Sequence, residues 1–173
     1  MLMSEVPEKS AAYRAGGLTL FFAAGVILVA LAFEHLGGYM PCPLCLMQRY
    51  AYYAAIPLLF VAMALTSEMP RLAALLFFAV ALAFLGNAGL GVYHAGAEWK
   101  FWPGPTTCGA VAQSMPTSAS DLLSSLAESR VVRCDEAPWT FAGLSFAGWN
   151  VVTSLVAFTG SLKAAFLSAS ERD

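Results

Sequence analysis

The sequence predicts an all-α integral membrane protein built as a four-helix bundle, and two observations carry this prediction. Hydrophobic residues make up 59% of the 173 residues and charged residues only 12%, against about 25% charged residues in a soluble domain. The apolar residues also form four runs, each close to the roughly 20 residues that cross the hydrocarbon of a bilayer. The net charge of −2 and the lack of a basic cluster argue against nucleic-acid binding.

The four predicted spans are residues 18–36, 46–65, 72–93 and 144–166. Short connections between most consecutive spans favour an antiparallel bundle, so we expect residues 1–173 to form a single membrane domain. The first apolar run is longer than the core of a secretory signal, and we therefore expect it to be a retained span rather than a cleaved segment.

The connection between the third and fourth spans, residues 95–143, is the only sizeable hydrophilic region of the sequence. Trp102 near its start and Trp139 near its end are typical of anchors at the membrane interface. Within it, residues 118–129 would place their leucines on one helical face, which predicts a short helix lying on the membrane surface. A loop without this helix is the alternative.

Four spans put the loops 37–45 and 95–143 on the same side of the membrane. Each loop contains two of the four cysteines, which are Cys42, Cys45, Cys108 and Cys134. Lysine and arginine are more frequent on the side of the two termini, which favours cytoplasmic termini. All four cysteines then face the outer compartment, where disulfides persist.

The segment Cys42-Pro43-Leu44-Cys45 is the motif around which the chain is organised, because it joins the first two spans. Arg49 follows Cys45 by one helical turn, so both side chains would project from one face of a helix. The positive end of the helix dipole and the guanidinium both favour a thiolate. The motif therefore predicts a redox site at the membrane surface.

The four cysteines allow three interpretations, namely two static disulfides, a metal site, or two pairs that exchange electrons. Only one pair has the two-residue spacing typical of zinc ligands, and Cys108 and Cys134 are 26 positions apart, so we expect no metal. A Cys-x-x-Cys bridge closes a very small ring and is reducible, so electron exchange is favoured. A structural membrane protein with two static disulfides remains the alternative.

Thiol exchange moves electrons but needs a final two-electron acceptor. The sequence has no nucleotide-binding glycine motif and no haem signature, and a lipid-soluble quinone fits the membrane location. Candidate polar contacts are Arg49, Gln48 and His94, while Glu34 and His35 are interpreted as structural. A candidate aromatic wall consists of Tyr50, Tyr52, Tyr53 and Trp149.

Taken together, these motifs resemble the DsbB family of quinone-dependent disulfide oxidases over nearly the whole chain. The most specific of them is the Cys-Pro-Leu-Cys motif followed by Arg49. The others are Tyr93-His94 at the end of the third span, one outward loop with two cysteines, and Trp139-x-Phe141-x-Gly143 before the fourth span.

The resemblance implies a protein-disulfide oxidoreductase of the bacterial inner membrane, with cytoplasmic termini and cysteines facing the periplasm. It implies that Cys108 and Cys134 form the disulfide that meets a periplasmic DsbA-like thiol oxidase, with Cys108 forming the mixed disulfide. Cys134 would then pass electrons to Cys42.

The resemblance also implies that the Cys45 thiolate faces ubiquinone or menaquinone, with Arg49 stabilising the charge and His94 nearby. A DsbB paralogue that serves a dedicated partner, or a relay that carries electrons outward, remains a further alternative.

Overall fold

The computed structural model describes residues 6–105 and 134–170 of the chain, with side chains from residue 11 onward. In this part of the chain, four long helices are joined by short connections and one two-stranded hairpin. The helices are α1 (Val6–His35), α2 (Pro43–Leu65), α3 (Pro70–Glu98) and α4 (Phe146–Ser170). All four are long and apolar enough to cross a membrane. The prediction of an all-α membrane bundle is therefore confirmed.

The helices pack as a ring, in which α1 and α3 each contact both α2 and α4. Helices α3 and α4 pack closely at Gly91, where an added Cβ would lie 2.8 Å from Cγ2 of Val151. Small residues at such positions let helices pack tightly in lipid. Large apolar side chains such as Phe21, Phe60 and Phe166 are exposed on the outside of the ring, as expected of a surface that faces lipid.

Polar side chains link three of the helices across the buried centre of the bundle. The Tyr52 hydroxyl lies 2.9 Å from Oγ1 of Thr153 and 3.2 Å from Oγ of Ser154. Asn87 donates to Ser154 at 3.0 Å and to Asn150 at 3.3 Å. These hydrogen bonds fix how α2, α3 and α4 face one another, because a buried polar group is costly without a partner.

Helix α3 continues beyond the span predicted from the sequence, because the small residues after His94 remain helical as far as Glu98. Helix α4 begins at Phe146, and the two residues before it belong to a hairpin that pairs Thr140–Phe141 with Leu144–Ser145. The hairpin turn at Ala142 and Gly143 has positive φ at both residues, as tight hairpin turns require. The predicted interfacial helix at 118–129 lies outside the described residues.

Candidate functional site

The Cys-x-x-Cys motif lies at the N-terminus of α2. Cys42 is the N-cap residue, and its Sγ accepts the backbone N–H of Cys45 at 3.3 Å. Pro43 occupies the first helical position, where its missing N–H has no cost. Both cysteines are free thiols, and their sulfur atoms lie 2.9 Å apart. The helix geometry thus brings the two sulfurs together at the positive end of the helix dipole.

Cys134 lies beside this pair, although it comes from the long loop. It is disulfide-bonded, almost fully buried, and packed against Cys42 and Leu44. Cys108, which was predicted to pair with Cys134, lies outside the described residues. Cys134 therefore lies at the same end of the helix bundle as Cys42 and Cys45.

His94, which was predicted as a quinone contact, lies beside Cys42. The ring is buried, and its Nε2 lies 3.7 Å from Sγ of Cys42. A hydrogen bond from the Cys45 thiol holds the pKa of Cys42 well below its usual range. Burial opposes this shift, whereas His94 and the Cys45 backbone N–H act in the same direction as the thiol. Cys42 is therefore the sulfur that carries the negative charge when both thiols are reduced.

Gln48 determines which nitrogen of His94 carries the proton. Its amide Nε2 lies 3.0 Å from Nδ1 of His94, and because an amide NH₂ can only donate, Nδ1 must accept. The ring proton of neutral His94 is then on Nε2, which also lies 3.7 Å from Oε1 of Glu98. Sequence reasoning missed Glu98, although its spacing of four residues from His94 on one helix was the available signal.

Arg49 forms an ion pair with Glu34 of α1 and donates a second hydrogen bond to the Ala30 carbonyl at 3.4 Å. Neither of these partners is Cys45, so the structure gives Glu34 a specific contact that its interpretation as structural did not include. The sequence did contain a signal for this ion pair. Glu34 and Arg49 lie at the ends of two spans that meet at the loop 37–45, and so at a similar depth in the membrane.

A cavity of about 630 Å³ lies between α1, α2 and α4, and Cys45, Gln48 and Arg49 form part of its lining. The aromatic side chains in its lining include Phe33, Tyr39, Trp139, Phe141, Phe146 and Trp149. Of the predicted aromatic wall, Tyr52 and Trp149 line the cavity, whereas Tyr50 and Tyr53 are exposed outside it. Its size and apolar walls are typical of a small-molecule site. Among the described residues, Cys45 is the cysteine that lines this cavity.

The donor atoms of Cys42, Cys45 and His94 lie within 4.8 Å of one another, which is close enough for a metal ion to be considered. The two sulfurs, however, are 2.9 Å apart, whereas two thiolates bound to one tetrahedral zinc ion are about 3.7 Å apart. The geometry therefore favours thiol–disulfide chemistry over zinc binding.

We expect Cys42 of the reduced protein to remain a thiolate at pH values where an ordinary thiol, with a pKa of about 8.5, is protonated. Its pKa is lowered, so the anion is present above the lowered pKa and is lost only as the pH falls through it. The measurement is the ultraviolet thiolate absorbance of the reduced protein against pH, with Cys42→Ser as the blank. Replacement of His94 by Ala should move the transition to higher pH, and a transition at the ordinary value in the parent would contradict the prediction.

Comparison with known proteins agrees with this site. The family described as "Disulfide bond formation protein DsbB" matches residues 13–163. Several relatives carry the name "Disulfide bond formation protein B", among them the following three. That of Methylococcus capsulatus is 34% identical over 146 residues, covering 80% of this chain and 84% of its own. That of Aromatoleum aromaticum is 32% identical over 137 residues, covering 75% of this chain and 77% of its own. That of Marinobacter nauticus is 31% identical over 144 residues, covering 79% of this chain and 81% of its own. No solved structure matches.

The four spanning helices and the thiol pair at the end of one of them, together with these relatives, define a multi-pass membrane oxidoreductase that forms disulfides. The chain belongs to the DsbB family, as the resemblance of its motifs predicted.

Proposed function

We propose that this chain reoxidises a periplasmic DsbA-like dithiol protein and passes the electrons through two cysteine pairs to ubiquinone or menaquinone in the bacterial inner membrane. One observation carries the proposal. The Cys42–Cys45 pair lies between the disulfide-bonded Cys134 on one side and an apolar cavity lined by Cys45 and Arg49 on the other. Such an arrangement suits a relay from a protein thiol to an acceptor dissolved in lipid.

The proposed relay begins at the loop pair of cysteines. The partner's dithiol reduces the bond that contains Cys134, and Cys108 forms the mixed disulfide. The Cys134 thiolate then attacks Sγ of Cys42, its neighbour in the same buried cluster. The Cys42–Cys45 bond breaks, and Cys45 leaves as a thiolate. Because Cys45 lines the cavity, its electron pair is then available to an acceptor bound there.

The cavity residues fit the head group of a quinone. A quinone supplies a flat ring that accepts two electrons and two protons. The aromatic side chains around the cavity offer faces against which such a ring can pack. Arg49, Gln48 and Asn150 offer hydrogen-bond donors for its oxygens. A guanidinium anchored by Glu34 can also stabilise negative charge that develops on such an oxygen.

We further propose that the whole chain forms one membrane domain, with cytoplasmic termini and all four cysteines facing the periplasm. The excess of lysine and arginine on the side of the termini supports this orientation. The burial of Cys134 against Cys42 supports a common side for both cysteine loops.

The test is a reaction of the purified protein with an excess of reduced DsbA-like protein and a short-chain quinone. We expect the protein to act in substoichiometric amounts, with one quinone consumed for each disulfide formed. When the quinone is depleted, thiol trapping should find both cysteine pairs reduced. If both pairs stay oxidised under these conditions, the bridges are static and the proposal is wrong. Oxidation of a different dithiol protein alone would indicate a dedicated partner.

A further inference from the structure

Glu98 is a buried carboxyl group that the relay described above does not use. Its side chain is only 4% exposed, and it is the last residue of a membrane-spanning helix. A buried carboxyl group is costly unless neighbouring groups compensate its charge. Glu98 contacts Ser145, which donates to Oε2, and His94, whose Nε2 lies 3.7 Å from Oε1.

Burial disfavours the carboxylate form of Glu98, whereas two of its neighbours, Ser145 and His94, favour it while Cys42 is uncharged. Ser145 directly precedes α4, and its Oγ accepts the N–H of Gly148 at 3.2 Å, as the side chain of an N-cap residue does. The Ser145 hydroxyl therefore donates to Glu98 from the positive end of a helix dipole. Nε2 of His94 lies 3.7 Å from the same carboxyl group, and Gln48 contacts the other ring nitrogen, Nδ1.

Reduction of the Cys42–Cys45 disulfide changes this balance, because it creates a thiolate at Cys42. Sγ of Cys42 and Oε1 of Glu98 each lie 3.7 Å from the same Nε2 of His94. Two anionic groups then face the same ring nitrogen, and they lie no more than twice that distance apart in a buried region. Repulsion between buried like charges is strong, and uptake of a proton removes it.

We propose that Glu98, together with His94, takes up one proton when the Cys42–Cys45 disulfide is reduced and releases it when the disulfide re-forms. The inference rests on the proposed function for the source and the destination of the electrons. In this proposal, the proton bound by Glu98 and His94 compensates the negative charge of the Cys42 thiolate.

The protons and electrons of the relay then balance. A partner dithiol gives up two electrons and two protons. The electrons break the Cys42–Cys45 bond, one proton stays on the Cys45 thiol, and the second is held by Glu98 and His94. When the bond re-forms, two electrons and both protons leave, which is what the reduction of one quinone to its quinol consumes.

The other titratable groups that face Glu98 come from each element around it. They are Cys42 and Cys45 at the start of α2, and His94 on α3 itself. The segment before α4 contributes the Ser145 hydroxyl, and Cys134, next to Cys42, is disulfide-bonded. The cations Arg49 and Lys100 are paired with Glu34 and Asp135. Among the residues that the structure describes, His94 is therefore the basic side chain that lies next to both Cys42 and Glu98.

The test is the pH dependence of the midpoint potential of the Cys42–Cys45 couple, measured near neutral pH. The full chain carries Cys108→Ser and Cys134→Ser so that one couple remains, and it is equilibrated with a dithiol buffer in detergent without quinone. We expect two protons per two electrons in this parent and one proton in Glu98→Gln. Each proton taken up changes the equilibrium constant tenfold per pH unit, which is about 30 mV for a two-electron couple. The slope of midpoint potential against pH should therefore fall by half, from about 59 to about 30 mV per pH unit.

Two variants serve as controls. Glu68→Gln removes an exposed carboxyl in the α2–α3 connection and should keep the parental slope. Glu98→Asp keeps a titratable carboxyl and should retain two protons. An unchanged slope in Glu98→Gln, or a one-proton slope in the parent or in Glu98→Asp, would overturn the proposal.

Direct measurement of proton uptake keeps the test decisive where Glu98→Gln does not accumulate. Reduction of the parental disulfide should take up two protons, and uptake of one would overturn the proposal. Because neither measurement contains quinone or partner protein, their failure is distinct from failure of the proposed function, which would appear as a lack of quinone consumption.

Discussion

Replacement of Cys45 by Ala is expected to abolish quinone reduction, lowering its rate by at least about a thousandfold, the scale of losing a covalent nucleophile. Cys45 is the described thiol that lines the cavity, whereas Cys42 is buried against His94 and Cys134. Without Cys45, the Cys42 thiolate can still attack Sγ of the disulfide-bonded Cys134 and release the sulfur that Cys134 was bonded to, but no thiolate reaches the acceptor. The measurements are anaerobic quinone consumption and mass spectrometry of the trapped protein, in which a Cys42–Cys134 bond should accumulate.

Leu46→Ala is the matched control, because Leu46 is the next residue on α2 and its side chain is exposed. It should reduce quinone at the parental rate. The Cys45→Ala protein should keep the parental helical content, so that a lost activity reports chemistry and not unfolding. If Cys45→Ala reduced quinone at the parental rate, the assignment of Cys45 to the acceptor would be wrong.

Replacement of Arg49 by Ala is expected to weaken the use of quinone selectively. The guanidinium lines the cavity and is held there by Glu34 and the Ala30 carbonyl. A hydrogen bond from a charged group contributes about 1.5–3 kcal/mol, which predicts a loss of roughly 10- to 100-fold in kcat/KM for quinone. The measurement is steady-state kinetics with quinone and partner protein varied separately. The KM for the partner should not change.

Glu34→Gln tests whether the position of Arg49 matters as well as its charge. The neutral amide keeps an acceptor but removes the ion pair, so we expect a smaller loss for quinone than in Arg49→Ala. The kcat/KM of Arg49→Lys for quinone should lie between the values of the parent and of Arg49→Ala. Lysine keeps the positive charge but lacks the planar guanidinium, which can donate two parallel hydrogen bonds. Arg71→Ala, at the exposed start of α3, is the control. If these variants changed the KM for the partner protein as much as the KM for quinone, the substitutions would disturb the whole protein, and the proposed role of Arg49 at the quinone would be contradicted.

The four helices could be predicted from the sequence because hydrocarbon requires long apolar segments whose backbone groups bond internally. The hairpin at Thr140–Ser145 could not, because two-residue strands are too short to show an alternating pattern. The extension of α3 to Glu98 was missed for a related reason. Its residues are small or polar, so the apolar run ends before the helix does.

The candidate site was predictable where its residues are close in sequence and not where the contacts cross between helices. Spacing alone placed Cys42, Cys45 and Arg49 at one helix end. The contacts of His94 with Cys42 and of Arg49 with Glu34 depend on how each helix is rotated about its axis. Helices that are apolar on every side do not encode that rotation in their hydrophobic pattern. The cavity, which depends on the same rotations, was likewise not predictable in shape.

The backbone at Cys42 has a consequence for the motion that turnover requires. Cys42 lies between Pro41 and Pro43, and its φ of −74° and ψ of 165° lie in the extended region to which a residue before proline is restricted. Neither flanking residue can change its own φ appreciably. In the proposed relay we therefore expect the sulfur bond of Cys42 to form and break mainly by rotation of its side chain, with the main chain between the two prolines staying in place.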